Sequence, residues 1–246
     1  MPMAGEGSRF QINGNTLPKP LIDVDGVPMF KRALTSFSEV ECEKKYTIII
    51  QKKHDLEQDL GAKVRIHLPE ANLVIVEKLT RGPLETCYLA SHFLNLDDAV
   101  VILDCDLWFK TPAYFDQIKK VLCKKSDLVG ILTYFESNES KYSYAELKNG
   151  YVLRTAEKIA ISTHALIGSY FFSSAKQFLA AAEEILAQPA KTRENEYTVS
   201  TIYNYLISHF GKVVAMPAKE YHSFGTPEEF ENYKQGRGLH DESQRK

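Results

Sequence analysis

The sequence predicts an α/β chain built on a mostly parallel, doubly wound sheet, with an antiparallel β-ribbon added in its second half. Three observations carry that expectation. Short apolar runs alternate with helix-like stretches through the first half, and strands bounded on both sides by helices belong to sheets covered on both faces. Asn149-Gly150 stands between two strand-like segments, and both residues tolerate the positive φ that a tight hairpin demands. The 246 residues are 44 % hydrophobic and 25 % charged, enough to bury one full core.

In chain order, the apolar runs Tyr46–Ile50, Leu73–Val76, Val100–Leu103 and Asp127–Tyr134 read as strands. Between them, Met29–Phe37, Asp55–Leu60, Pro83–Leu94 and Pro112–Leu122 carry helical periodicity. Thr111 before Pro112 reads as a helix start, and Thr226, Pro227 and Glu229 form a capping box with proline at the first helical position. Tyr144–Leu147 and Tyr151–Thr155 make the ribbon. A strand at Ala165–Phe172 follows, then a helix from about Ser174 to Gln188 stopped by Pro189, a second from about Val199 to Phe210 stopped by Gly211, and a strand at Lys212–Met216. Residues 1–234 are expected as a single domain and 235–246 as a polar tail.

A formal charge of −2 recruits neither nucleic acid nor a membrane surface, although a local basic pocket for phosphates is compatible with it. Cys42, Cys87, Cys105 and Cys123 are widely spaced and follow no CxxC pattern, so they read as reduced, structural thiols. No apolar run is long enough to span a bilayer, and the first residues lack the basic start and apolar core of a secretion signal. A cytoplasmic protein is expected, as a monomer or homodimer.

The opening, MPMAGEGSRF, places Gly5 and Gly7 where backbone amides can approach a polyphosphate. Ser8 adds a hydroxyl, and Arg9 and Lys19 add fixed positive charge. Each element alone is an ordinary turn or a solvated cation. Together with Pro18-Lys19-Pro20-Leu21 and Gly26-Val27-Pro28-Met29 they form an ordered set. Further on, Asp104-Cys105-Asp106 ends an apolar strand, where carboxylates at the carboxyl end of a parallel strand lie at the binding edge of the sheet. Magnesium commonly takes one or two such carboxylates and completes its shell with phosphate and water.

These motifs resemble the nucleoside-triphosphate transferases that make activated sugars and related phosphates, whose amino-terminal signature reads AGxGSR, PKPL and xGxPM. The resemblance runs over roughly residues 3 to 233. It implies a Rossmann-like, GT-A-like nucleotidyltransferase fold and a pyrophosphorylase-type reaction: an NTP and a small phosphomonoester, such as a sugar 1-phosphate or a phosphocholine-like phosphate, give an NDP-linked product and pyrophosphate. By the same resemblance Ala4, Gly5, Gly7 and Ser8 bind the triphosphate, Arg9 and Lys19 stabilise charge on the α-phosphate and pyrophosphate, and Asp106, with Asp104 as a second or outer ligand, holds Mg2+. Thr80, Gly82 and Glu85 match its base-reading loop, and Tyr144, Glu157, Lys158, Gly168 and Glu196 match its acceptor segments. Gly168 reads equally well as a bulge, and Ser200 as an early-turn helix residue.

Two departures stand out. Ser223 occupies the place where members with a two-ligand metal site carry an aspartate, which puts the second ligand in doubt, leaves Asp104 or His222 as substitutes, and suggests a divergent branch of the capsule- or surface-polysaccharide type. Only Met1-Pro2-Met3 precede the glycine loop, where the resemblance implies about four more residues in a central strand, so the native start is expected upstream. A DxD glycosyltransferase using a sugar nucleotide and a non-catalytic nucleotide-binding module of the same fold are the alternatives.

Overall fold

The computed structural model describes residues 1–12, 17–189, 196–236 and 240–241. The first half runs β1 (Pro2–Met3), α1 (Ser8–Ile12), β2 (Asp23–Val24), β3 (Val27–Pro28), α2 (Met29–Thr35), β4 (Thr47–Gln51), α3 (Lys52–Gln58), α4 (Leu60–His67), β5 (Asn72–Val76), α5 (Pro83–Tyr88), β6 (Val100–Leu103), β7 (Leu107–Lys110) and α6 (Pro112–Leu122). The second half runs β8 (Gly130–Glu136), β9 (Ser143–Lys148), β10 (Tyr151–Glu157), β11 (His164–Phe172), α7 (Ala175–Leu186), α8 (Ile202–His209), β12 (Val213–Pro217), β13 (Glu220–Ser223) and α9 (Pro227–Lys234). These elements form two units. The first holds Met1–Leu79, Leu103–Lys110 and the described residues from Lys219 onward; the second holds Thr80–Ile102 and Thr111–Ala218.

In the first unit β1, β4 and β5 make a parallel sheet, as the alternation of strands and helices requires. Pro2 and Met3 pair with Ile49 and Ile50, so the short stretch ahead of the glycine loop does form a strand. Met3, Phe30, Ile48, Ile50, Leu60, Val64, Leu68 and Ala71 pack as one apolar cluster. A second cluster joins Phe10, Ile22, Val24 and Met29 to Phe224 and Phe230. Antiparallel pairing of β7 with β13, from Lys110 opposite Glu220 to Leu107 opposite Ser223, continues into a hydrogen bond from the Phe224 amide to the Asp106 carbonyl at 2.7 Å.

The second unit contains a mixed sheet in the order β6-β11-β8-β12-β10-β9. β8 and β12 run parallel, while β11 runs antiparallel to β8 and the β9–β10 hairpin adds the ribbon. Asn149 and Gly150 take φ values of 53° and 79°, which is the turn their sequence specifies. Under the sheet, Tyr203 is fully buried, stacks on Phe172 with ring centroids 5.1 Å apart, and donates its hydroxyl to the Phe171 carbonyl.

Several boundaries differ from the sequence reading for physical reasons. The stretch read as one short helix at Asp55–Leu60 is two helices, α3 and α4, divided at Asp59, whose φ of 50° is left-handed. The Asp55 carboxylate accepts the Gly61 amide at 2.8 Å and so closes the second helix start. The Pro83–Leu94 helix stops at Tyr88 and resumes as a single 3-10 turn, Ser91–Phe93. Thr111 does not cap α6: its side chain makes no cap hydrogen bond. Thr226 does cap α9, with the reciprocal Glu229 contact present. Thr226→Ala should cost about 1 kcal/mol, read as a lowered denaturant midpoint.

Candidate active site

The opening loop leaves β1 at Ala4, which is buried, and turns at Gly5 and Glu6, which are exposed. Gly7 has a φ of 64°, a conformation L side chains seldom take, and a Cβ there would lie 3.3 Å from the Cβ of Lys19. That close approach sets Lys19 against the loop. Ser8 and Arg9, at the start of α1, are exposed. Lys19 opens a 3-10 turn, Lys19–Leu21, and its ammonium ion-pairs with Asp106 and donates to the Gly225 carbonyl at 3.2 Å. Burial pulls the Lys19 pKa down, but the Asp106 charge and hydrogen bond, aided by Asp104, outweigh it and leave it above the ordinary 10.5. Cys105 is half-buried; desolvation of its thiol, with the Asp106 charge next in weight, pushes it up to about 12, so it stays protonated at neutral pH.

The sequence reading named Ser223 only as the place of an absent metal ligand and Glu229 only as a helix cap, and the structure brings both, with Gly225, up to this pair. A Cβ placed on Gly225 would lie 3.0 Å from Glu229 Oε2, 3.3 Å from Ser223 Oγ and 3.5 Å from Asp106 Oδ2. Ser223 donates its hydroxyl to Glu229 Oε2 at 2.7 Å, and both residues are buried. The Thr226-x-x-Glu229 spacing signalled a helix cap, and nothing in it signalled the burial. His222, considered as a substitute ligand, stacks on Trp108 at 5.6 Å and meets the edge of Tyr233 at 4.9 Å, so its ring is held among aromatics.

In the second unit, Thr80, Gly82 and Glu85 form a loop tied to itself. Thr80 shares a 2.6 Å hydroxyl contact with Thr86, and Glu85 accepts both the Arg81 amide and its guanidinium. The loop is also clasped to Tyr197: the Tyr197 amide donates to the Arg81 carbonyl, the Leu84 amide donates to the Tyr197 carbonyl, both at 2.9 Å, and the Arg81 guanidinium lies 4.6 Å over the Tyr197 ring. Arg81 and Tyr197 were not singled out by sequence, because their partnership spans 116 positions.

Hydrogen bonding from the Arg81 guanidinium, opposed by partial burial and helped by the Arg81 amide, holds the Glu85 carboxyl below its ordinary 4.5. Its contribution to stability is therefore complete above about pH 4.5 and lost as pH falls through the lower folded value. Glu85→Gln should flatten the acid limb of the stability curve, measured by urea midpoints from about pH 3 to 6.

Glu157 accepts hydroxyls from Ser143 and, at 3.0 Å, from Ser200, a buried residue in the 3-10 turn Val199–Thr201 that precedes α8. Lys158 has a φ of 54°, its amide donates to the Tyr142 carbonyl, and its ammonium stands 3.8 Å from Glu196. Gly168 sits with a φ of 88° where the β11–β8 register shifts between Leu166 and Tyr170, so the bulge reading describes its backbone. Tyr144, matched to the acceptor segments, has a fully buried ring whose hydroxyl donates to the Glu139 carbonyl at 2.7 Å. Glu194 and Asn195, part of the segment matched around Glu196, lie outside the described residues.

Known proteins share this architecture. A nucleoside-diphosphate-sugar pyrophosphorylase from Vibrio cholerae superposes with a TM-score of 0.79 at 23 % identity, over 96 % of this chain and 100 % of the other. An inositol-1-phosphate CTP transferase from T. maritima gives 0.70 at 15 %, over 93 % and 89 % of the two chains. A UDP-glucose pyrophosphorylase complexed with UDP-glucose gives 0.72 at 20 %, over 96 % and 97 %. At these identities the likeness establishes the fold. No curated protein matches by sequence. The model of the MobA-like NTP transferase domain matches residues 3–188, which takes in the glycine loop, Lys19, the Gly82 loop, Asp104 and Asp106 and the β9–β11 segments. On that match over most of its length, the chain belongs to the MobA-like NTP transferase family.

Proposed function

We propose that the protein transfers a nucleoside monophosphate from an NTP to a small phosphomonoester and releases pyrophosphate. The observation that carries this reading is Lys19, set against the Gly7 turn and fixed at its ammonium by Asp106 and the Gly225 carbonyl. An acceptor phosphate oxygen attacks the α-phosphorus, the bond from that phosphorus to the α,β-bridging oxygen breaks, and pyrophosphate leaves with the electron pair. Negative charge grows on the leaving group, and a cation already held in place stabilises it without reorganising during the reaction. Arg9, exposed beside the loop, adds a second fixed charge, and the amides around Gly5, Gly7 and Ser8 take the triphosphate. No covalent enzyme intermediate is required, because positioning and electrostatics supply the rate.

The donor set fits magnesium. Among the described residues no three His, Cys, Asp or Glu side chains gather into a metal group. The hard oxygens of Asp106 and Asp104 flank a thiol that stays protonated, which suits an ion that completes its shell with phosphate and water. Asp106, with Asp104, would hold it, and the ion would neutralise phosphate charge. On the acceptor side, Lys158 meets the phosphate, Glu157 and Glu196 meet its polar groups, and Thr80, Gly82 and Glu85 shape the base pocket.

The activities named for the structural neighbours, nucleoside-diphosphate-sugar pyrophosphorylase and inositol-1-phosphate CTP transferase, support a phosphate acceptor. The reading places the enzyme in the cytoplasm, supplying activated sugars for polysaccharide synthesis. The test is a panel of the four NTPs against sugar 1-phosphates, inositol phosphate and phosphocholine with Mg2+. Pyrophosphate release with one pair supports the proposal. Release of NDP from a sugar nucleotide supports the glycosyltransferase alternative, and binding of NTP without turnover the regulatory one.

A further inference from the structure

Helix α9 begins with a capping box whose acid is buried, and burial is not what a cap needs. A capping box on an exposed helix end satisfies the same amides, whereas a carboxylate taken out of water is costly unless it is well hydrogen-bonded. Glu229, 8 % exposed, meets that cost with the Thr226 amide at 3.1 Å and the Ser223 hydroxyl at 2.7 Å. The Ser223 oxygen in turn receives the Gly225 amide at 3.2 Å, and the Gly225 carbonyl receives the Lys19 ammonium, also at 3.2 Å. The neighbouring Phe224 amide donates to the Asp106 carbonyl. An unbroken hydrogen-bonded chain thus runs from the helix cap to Lys19.

We propose that Ser223 and Glu229 are positioning residues for Lys19: they hold the turn at Gly225 so that its carbonyl, together with Asp106, fixes the lysine ammonium. This rests on the nucleotidyl-transfer reading above. A lysine is a point charge on a flexible four-carbon stem, and one carboxylate leaves it free to swing. Two acceptors at separate positions occupy two of its three donors and direct the third at the nucleotide. Gly225 has no positive φ, so glycine serves space there: a Cβ would crowd Glu229 Oε2 and Ser223 Oγ and come into contact with Asp106 Oδ2. The same geometry gives Ser223 its reason. An aspartate at 223 would set a second carboxylate against Glu229, and two such groups resist being ionised together; a hydroxyl donates instead.

The experiment compares the wild type, Ser223→Ala and Thr226→Ala in steady-state kinetics and equilibrium unfolding. Thr226→Ala removes the helix cap and leaves the Ser223–Glu229 contact. Ser223→Ala should lower kcat about tenfold or more with KM for the NTP changed less than about threefold, while Thr226→Ala keeps kcat within about twofold. An unchanged kcat in Ser223→Ala, or an equal loss in both variants, overturns the proposal in favour of a merely structural role. A second measurement needs no turnover. In an unfolding double-mutant cycle of Lys19→Met with Ser223→Ala, the double variant's unfolding constant should depart from the product of the single effects by about threefold or more, and multiplicative effects overturn the link. If the wild type releases no pyrophosphate with any substrate pair, the functional reading fails, and the cycle still decides whether Ser223 holds Lys19.

Discussion

Lys19→Ala should lower kcat for nucleotide transfer by about 10²–10³-fold, the usual loss when one preorganised donor to a developing charge is removed. The ammonium is fixed before substrate arrives, by an ion pair with Asp106 and by the Gly225 carbonyl, so its stabilisation of the leaving pyrophosphate is a transition-state effect more than a binding one. KM should therefore rise much less than kcat falls. The side chains of the pair are only 19 % and 25 % exposed, so Lys19→Ala also leaves the Asp106 carboxylate largely out of water without its partner, and a loss of stability should accompany the loss of turnover. Lys19→Arg should not restore activity, because a planar fork cannot occupy the two separate acceptors that a compact ammonium reaches. Asp106→Asn should fall as far, since it removes the Lys19 ion pair and weakens the oxygen set proposed for magnesium. Pyrophosphate-release kinetics beside thermal unfolding decide the matter: turnover near wild type in Lys19→Ala would remove the basis of the proposed chemistry.

The second large effect is structural. Gly82→Ala would place a Cβ 2.5 Å from the Tyr197 carbonyl oxygen and 2.7 Å from its amide nitrogen, and these are backbone atoms that cannot rotate away. At a φ of 139° the alanine would be strained even in open space. We expect the 80–86 loop to leave Tyr197 at a cost of about 3 kcal/mol. Hydrogen exchange reads this directly, because the Leu84 and Tyr197 amides that pair the two segments should lose protection together. Retained protection at both amides with an unchanged denaturant midpoint would show that the chain absorbs the methyl group. Nucleotide KM is expected to rise in the same variant, with kcat affected less.

Much of this molecule is legible locally. Asn149-Gly150 specified its turn because only residues at ease with positive φ make it, and Thr226-Pro227-x-Glu229 specified its helix start because each residue satisfies a backbone group within one turn. Gly7 and Lys19 are likewise close in sequence, and a Cβ on Gly7 would lie 3.3 Å from that of Lys19. What failed was non-local. Helix α4 escaped because Gly61 faces its core, where periodicity looks for a large apolar side chain. Tyr144 was named from its place in a motif, and its burial, shared with the adjacent Ala145, comes with pairing to β10 and β11 that alternation along β9 does not reveal. Glu229 was legible as a cap but not as a buried acid, since burial is decided by β13 and β7, whose pairing joins segments more than a hundred residues apart.

The clasp between Arg81, Gly82, Leu84 and Tyr197 bears on how preference for substrates can change over descent. The segment proposed to read the base and the segment proposed to neighbour the acceptor share backbone hydrogen bonds and a stacked ring, so neither is a detachable cassette. Transplanting residues 80–86 from a relative would import a loop whose glycine expects a particular backbone at 197. Substitutions that retune one segment therefore travel with compensations in the other, and a successful chimera has to exchange both at once.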